Sequence, residues 1–85
     1  MHIAGVVVQT RPEHLAAVRS LLEEIARLEV HAVNPDGRFA VTIEGDHRHA
    51  VADALYRINA LQGVLSACVV YEQSESEFTH VEALQ

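Results

Sequence analysis

Two hydrophobic periodicities alternate along this chain of 85 residues, and their order restricts the possible folds more than any other feature. In four short segments the apolar residues alternate with polar ones or form β-branched runs, which is typical of strands. In two other segments they recur at spacings of three and four, which is typical of amphipathic helices. Strands are therefore predicted at 3–9, 29–34, 38–44 and 65–72, with one helix after the first strand and one after the third.

Cap and turn residues predict where these elements end. Thr10 is predicted to cap the first helix, which we expect to end near Arg27, and Asp46 is predicted to cap the second, with Gly63 as its stop. The sequence Asn-Pro-Asp-Gly at 34–37 predicts a tight turn, so the second and third strands form a hairpin.

The order of elements is then β-α-β-β-α-β, which is the ferredoxin-like split βαβ arrangement. This α+β fold has a four-stranded antiparallel sheet with strand order 4-1-3-2. Both helices cover one face of it, because each crossover is right-handed. We expect residues 1–73 to form this domain and residues 74–85 to form a poorly ordered acidic C-terminal tail.

The predicted core combines the apolar stripes of both helices with the covered face of the sheet. Alternation places Val30, Ala32, Leu65 and Tyr71 toward the helices and Val33 away from them. The predicted core residues are Val6, Val8, Leu15, Val18, Leu22, Ile25, Phe39, Val41, Ile43, Val51, Leu55, Ile58, Ala67, Val69 and Tyr71.

The other face of the sheet has no covering layer in the predicted fold. We expect three glutamates to gather at one end of it, near Ile3, beside a middle of small and aliphatic residues. Such a surface suits a ligand with basic and apolar parts in series; the alternative is an ordinary solvated sheet face. The candidate binding residues are Ile3, Gly5, Val7, Gln9, Glu29, His31, Ala40, Thr42, Glu44, Ser66, Cys68, Val70 and Glu72.

Charge and cysteine content narrow the classes of partner. Asp and Glu number 12 against 6 arginines and no lysine, so the formal net charge is −6. Nucleic acid and anionic membranes are therefore disfavoured, and a basic partner fits better. The single Cys68 excludes a disulfide framework. The apolar N-terminal run is too short for a membrane span and lacks the features of a secretory signal, so a cytoplasmic location is expected.

No constellation in the sequence predicts catalysis. His47 and His49 form the closest histidine pair, but a zinc site needs three or four convergent ligands, so we expect no metal and no cofactor. Cys68 lies in the middle of a strand without a predicted base, and the four glycines form no phosphate-binding loop. The chain is therefore predicted not to be an enzyme.

Several stretches together resemble the NapD family, the small cytoplasmic assembly chaperones of the periplasmic nitrate reductase. They are IAGVVVQTRPE at 3–13, EVH at 29–31, PDGR at 35–38 and LQGVLSACVVYEQ at 61–73. The resemblance spans about residues 2–74 and implies a ferredoxin-like fold without enzymatic activity. It implies that the open sheet face binds the twin-arginine signal peptide of the nitrate reductase catalytic subunit. Export would then wait until the molybdenum cofactor and iron–sulfur cluster are inserted.

Two other functions remain open from the residues alone. One is a small ferredoxin-like ligand-sensing or dimerising regulatory domain, which would pair strands or sheets between copies, although a monomer is favoured. The other is a metal carrier, for which the loop after the first strand lacks the expected pair of cysteines. Binding of a synthetic twin-arginine peptide would distinguish the chaperone from both.

Overall fold

The fold predicted from the periodicities is confirmed by the computed structural model, which describes residues 1–74. A four-stranded antiparallel sheet carries two α-helices in the ferredoxin-like arrangement. The elements are β1 (His2–Thr10), a 3-10 turn (Pro12–His14), α1 (Leu15–Glu23), β2 (Leu28–Asn34), β3 (Arg38–Gly45), α2 (Arg48–Asn59) and β4 (Val64–Ser74).

The strand order is β2-β3-β1-β4, as predicted, so β1 and β3 are central and β2 and β4 are the edges. Strand β1 is antiparallel to both of its neighbours: Ile3 pairs with Glu44 of β3 and with Gln73 of β4. The ends of β3 and β4 therefore meet the start of β1. This register determines which residues share an end of the open face.

The core lies between the two helices and one face of the sheet. Its most deeply buried large side chains include Phe39, Leu22 and Ile58, which lie on β3, α1 and α2. Ala4 and Ala54 are also buried, although the predicted core did not include them, whereas the predicted Leu15 and Leu55 are partly buried against the core. The remaining buried apolar residues are Val6, Val8, Val18, Ile25, Val41, Ile43, Val51 and Ala67.

A β-bulge in β2 reverses part of the predicted face assignment. Val30 pairs with Val41 and Ala32 with Ala40, so His31 is an extra residue between them. Ala32 consequently lies on the open face, and Val33 packs against the core. The prediction that Ala32 faces the helices and Val33 faces away was wrong, because alternation assumes an uninterrupted ladder.

Two further bulges alter β4. Leu65 is an extra residue between Val64 and Ser66 and is 61% exposed, so its predicted place toward the helices was wrong. Val70 is an extra residue between Val69, which pairs with Val6, and Tyr71, which pairs with Gly5. Val69 keeps its predicted side but is 36% exposed at the sheet edge, so it is not a core residue.

The bulge at Val70 exchanges the faces of the next two residues. Tyr71 lies on the open face rather than in the core, and Glu72 pairs with the buried Ala4 on the helix side. There the Glu72 carboxylate is 3.9 Å from Nε2 of the buried His2. The predicted positions of Tyr71 and Glu72 were therefore both wrong.

The predicted helix caps were also wrong. Thr10 is buried at the end of β1, and its hydroxyl donates a hydrogen bond to the Arg11 carbonyl instead of capping α1. Asp46 forms an ion pair of 3.1 Å with Arg27, and His47 caps α2 by accepting a hydrogen bond from the Ala50 amide.

The helices also end earlier than predicted. Helix α1 stops at Glu23, short of Arg27, which adopts a positive φ of 65° before β2. Helix α2 stops at Asn59, and Gly63, with a φ of 97°, forms the turn into β4 rather than the helix end itself. Positive φ favours glycine at such a turn.

The last strand extends to Ser74, the first residue of the predicted tail. Residues 75–85 of that tail lie outside the described residues. Neither helix in the described part of the chain has the length and apolar character of a membrane span.

Candidate functional site

The open face of the sheet consists of four rows of side chains that run across the strands. Antiparallel partners share a face, so the register defines each row. Strands lie about 4.8 Å apart, and alternate residues of a strand about 6.8 Å apart, which sets the spacing of the rows. Each row is centred on one residue of β1: Ile3, Gly5, Val7 or Gln9.

The first two rows contain the acidic residues. Ile3 lies between Glu44 and Gln73, and Gly5 lies in the next row between Thr42 and Tyr71. Glu29 extends this second row beyond Thr42. Within residues 1–74, neither Glu29 nor Glu44 forms an ion pair, so both carboxylates are available to a partner. The residues Ile3, Glu29, Thr42 and Glu44 define the acidic end of the open face.

The third row is small and apolar. Val7 lies between Ala40 and Cys68, and Ala32 extends the row on β2. Cys68 is exposed, with a free thiol. Because these side chains are short, the surface is low here and a partner can pack apolar groups against it. We call this row the apolar floor.

The fourth row is polar and carries the only cation of the open face among residues 1–74. Gln9 lies between Arg38 and Ser66, and the Ser66 hydroxyl donates a 3.3 Å hydrogen bond to Gln9 Oε1. The Arg38 guanidinium pairs with Asp36 of the hairpin turn at 3.0 Å. The face thus changes from acidic through apolar to polar along the strands.

Two shallow depressions follow the same direction. One, of about 320 Å³, is bordered by Gly5, Val70 and Tyr71 on one side and by His31 and Thr42 on the other. The second, of about 500 Å³, reaches Pro35 and Arg38 at the far end. Both depressions are also lined by Val7 and Ala40, so they adjoin in the third row.

His31 adds a polar contact within the first depression. Its Nε2 atom is 2.7 Å from the Thr42 hydroxyl, across the β2–β3 pair. The bulge directs this edge residue over its neighbour and keeps it on the open face, as predicted.

Twelve of the thirteen predicted site residues lie on or border the open face, and Glu72 does not. Five residues of the open face are absent from the predicted site: Ala32, Asn34, Arg38, Tyr71 and Gln73. A glycine inside a strand was the available signal for Tyr71, because such a glycine often marks a close approach by another group.

The histidines of the described part of the chain share no site. The rings of His47 and His49 have centroids 6.0 Å apart, and His47 is engaged as the cap of α2. Over residues 1–74, no group of three or more His, Cys, Asp or Glu side chains could hold a metal ion.

Comparison with known proteins places this geometry in context. The family model described as NapD protein matches residues 1–76. The chain is 23% identical over 77 residues to Chaperone NapD of Haemophilus influenzae, a match that covers 89% of this chain and 83% of the relative. It also matches the solution structure of the E. coli Tat proofreading chaperone protein NapD with a TM-score of 0.77 at 24% identity, covering 88% of this chain and 80% of that one.

Proposed function

The chain belongs to the NapD family, a family of chaperones and not of enzymes, and from this premise we propose that it binds a twin-arginine signal peptide on its open sheet face. The peptide is that of the catalytic subunit of a periplasmic nitrate reductase. The name of the structurally similar E. coli protein, a Tat proofreading chaperone, supports this class of ligand. Family membership disfavours the alternative of a ligand-sensing regulatory domain.

One observation carries the proposal: within residues 1–74, two unpaired carboxylates at one end of a sheet face that no element covers lead into an apolar floor. Glu44 and Glu29 lie in adjacent rows on adjacent strands, which separates their Cα atoms by about 8 Å. Paired arginines can therefore each reach a carboxylate, and the guanidinium group bonds a carboxylate through two parallel N–H donors.

The apolar segment of the peptide follows the arginines along the strands. It packs over Val7, Ala40, Cys68 and Val70, whose short or aliphatic side chains form the middle of the face. At the far end Arg38 already pairs with Asp36, so the described open-face residues there offer the arginines of the peptide no free carboxylate, which disfavours the reversed orientation.

Binding of this kind withholds the signal from the export machinery. A peptide whose arginines and apolar segment lie against the sheet presents neither to another receptor. Release then follows completion of cofactor insertion in the catalytic subunit, and the complex forms in the cytoplasm before export. The cofactors belong to the partner and not to this chain.

The test is titration of a twin-arginine peptide against variants of the acidic end. We expect Glu29→Gln with Glu44→Gln to weaken binding by about 1–3 kcal/mol, because surface charges contribute little singly and more when a partner desolvates them. Added salt should weaken binding to the wild type more than to this variant, since screening acts on the charges removed.

Glu72→Gln is the control, because it makes the same kind of substitution at one carboxylate on the helix side of the same sheet. It should bind the peptide within a factor of about two of the wild type, as expected for an exposed charge on the opposite face of the sheet. Equal affinities for all three proteins would contradict the assignment of the arginines to the acidic end. Failure of the wild type to bind the peptide would contradict the proposed function itself.

A further inference from the structure

Tyr71 is held over the backbone of Gly5 at the acidic end of the open face. The bulge at Val70 turns Tyr71 to this face, and Tyr71 and Gly5 are direct cross-strand partners. A Cβ atom at Gly5 would overlap Cε1 and Cδ1 of the ring, so the ring occupies the space above the glycine. Gly5 thus lets the aromatic ring lie across the central strand.

The ring is nevertheless accessible to a partner. Tyr71 is 47% exposed, and it borders the smaller depression together with Val70, His31 and Thr42. Ile3 and its partner Glu44 occupy the adjacent row. The aromatic ring over Gly5 therefore lies one strand across and one row along from the unpaired Glu44.

We propose that Tyr71 is a stacking platform for a guanidinium group and makes the site selective for arginine over lysine. This inference rests on the proposed function and identifies the residue that recognises the arginine side chains of the peptide. An arginine placed over the exposed ring is attracted to the aromatic face, and from there its N–H groups extend toward Glu44.

The selectivity follows from the shapes of the two cations. The guanidinium is planar, stacks on aromatic rings and bonds a carboxylate through a rigid pair of donors. The ammonium of lysine is a compact, strongly hydrated charge without a flat surface. Glu44 attracts both cations, whereas the Tyr71 ring favours the planar guanidinium. The effects of Glu44 and Tyr71 on binding can therefore be measured separately.

The experiment compares peptides with two arginines or two lysines at the same positions, titrated against wild type, Tyr71→Phe and Tyr71→Leu. We expect the wild type to prefer the arginine peptide. Tyr71→Phe should retain this preference, because the ring is kept. Tyr71→Leu should weaken binding of the arginine peptide about tenfold and of the lysine peptide no more than about twofold.

Gly5→Ala supplies a second variant that leaves Tyr71 chemically intact. Its added methyl group must displace the ring, so the preference for arginine should fall as it does in Tyr71→Leu. Amide NMR spectra establish that each variant is folded; Tyr71 is half-exposed, so the leucine variant keeps the core unchanged.

Two results would overturn the inference while leaving the proposed function intact. One is equal binding of both peptides by the wild type, and the other is an unchanged preference in Tyr71→Leu, that is, equal fold losses for both peptides. Equal losses would mean that Tyr71 contributes only apolar contact. If the wild type binds neither peptide, the proposed function fails and the inference fails with it.

Discussion

Replacing Ile58 by alanine is expected to lower the free energy of unfolding by about 2–5 kcal/mol, the usual cost of removing a large buried aliphatic side chain. Ile58 lies on α2, is 0% exposed and belongs to the cluster between the helices and the sheet. The loss is a large share of the total, because domains are stable by only about 5–15 kcal/mol. Urea unfolding monitored by circular dichroism measures it.

Tyr56→Ala on the same helix is the matched control. Tyr56 is 77% exposed, so its truncation should change stability by no more than about 0.5 kcal/mol. Both variants alter helix propensity in similar ways, and the difference between them therefore isolates burial. Similar losses for the two would show that α2 does not present Ile58 to the sheet.

The largest effect on binding is expected from Cys68→Arg. Cys68 is exposed beside Val7 on the apolar floor, so the long side chain covers the surface on which the apolar peptide segment packs. It also places a positive charge under a basic ligand, and such mismatches cost several kcal/mol. We expect peptide affinity to fall by about 2 kcal/mol or more, measured by calorimetric titration.

Cys68→Ser is the control for this variant, because it removes the thiol and keeps the size. It should bind the peptide as the wild type does, and both variants should unfold at similar urea concentrations, since the position is exposed. Undiminished binding by Cys68→Arg would place the peptide away from the third row of the face.

The topology was predictable because it depends on the order of elements and on handedness. Two helix-period segments between four strand-period segments leave few ways to build an antiparallel sheet in so short a chain. Strand β3 illustrates the strength of the signal: Phe39, Val41 and Ile43 are buried, and Arg38 and Glu44 are exposed, as alternation requires. Once β3 and β1 are placed, the acidic end and the apolar floor follow.

The edges of the sheet were not predictable in the same way. His31, Leu65 and Val70 each interrupt the ladder, and a bulge changes which residues face the helices after it. Alternation contains no information about the position of a bulge, because the extra residue has no distinctive composition. The predicted placement of glutamates at the acidic end was therefore correct for Glu29 and Glu44 and wrong for Glu72.

The predictions of the capping residues were wrong for a different physical reason. Thr10 and Asp46 are residue types that favour N-caps. The Thr10 hydroxyl instead bonds the neighbouring Arg11 carbonyl, and the Asp46 carboxylate pairs with Arg27. Asp46 lies within reach of Arg27, which is distant in sequence and follows the other helix. Local propensity predicted a cap at both positions, and at Asp46 a contact with a distant segment engages the side chain instead.

The most direct test of the account is a paramagnetic spin label attached to the arginine end of a bound twin-arginine peptide. The account predicts that the amide signals of Ile3, Thr42 and Glu44 are broadened most. Gln9 is about 20 Å from Ile3 along β1, so it and its neighbours Arg38 and Ser66 should be affected far less. Strongest broadening at Gln9 and Arg38, or at the helix residues Arg19 and Tyr56, would contradict the account.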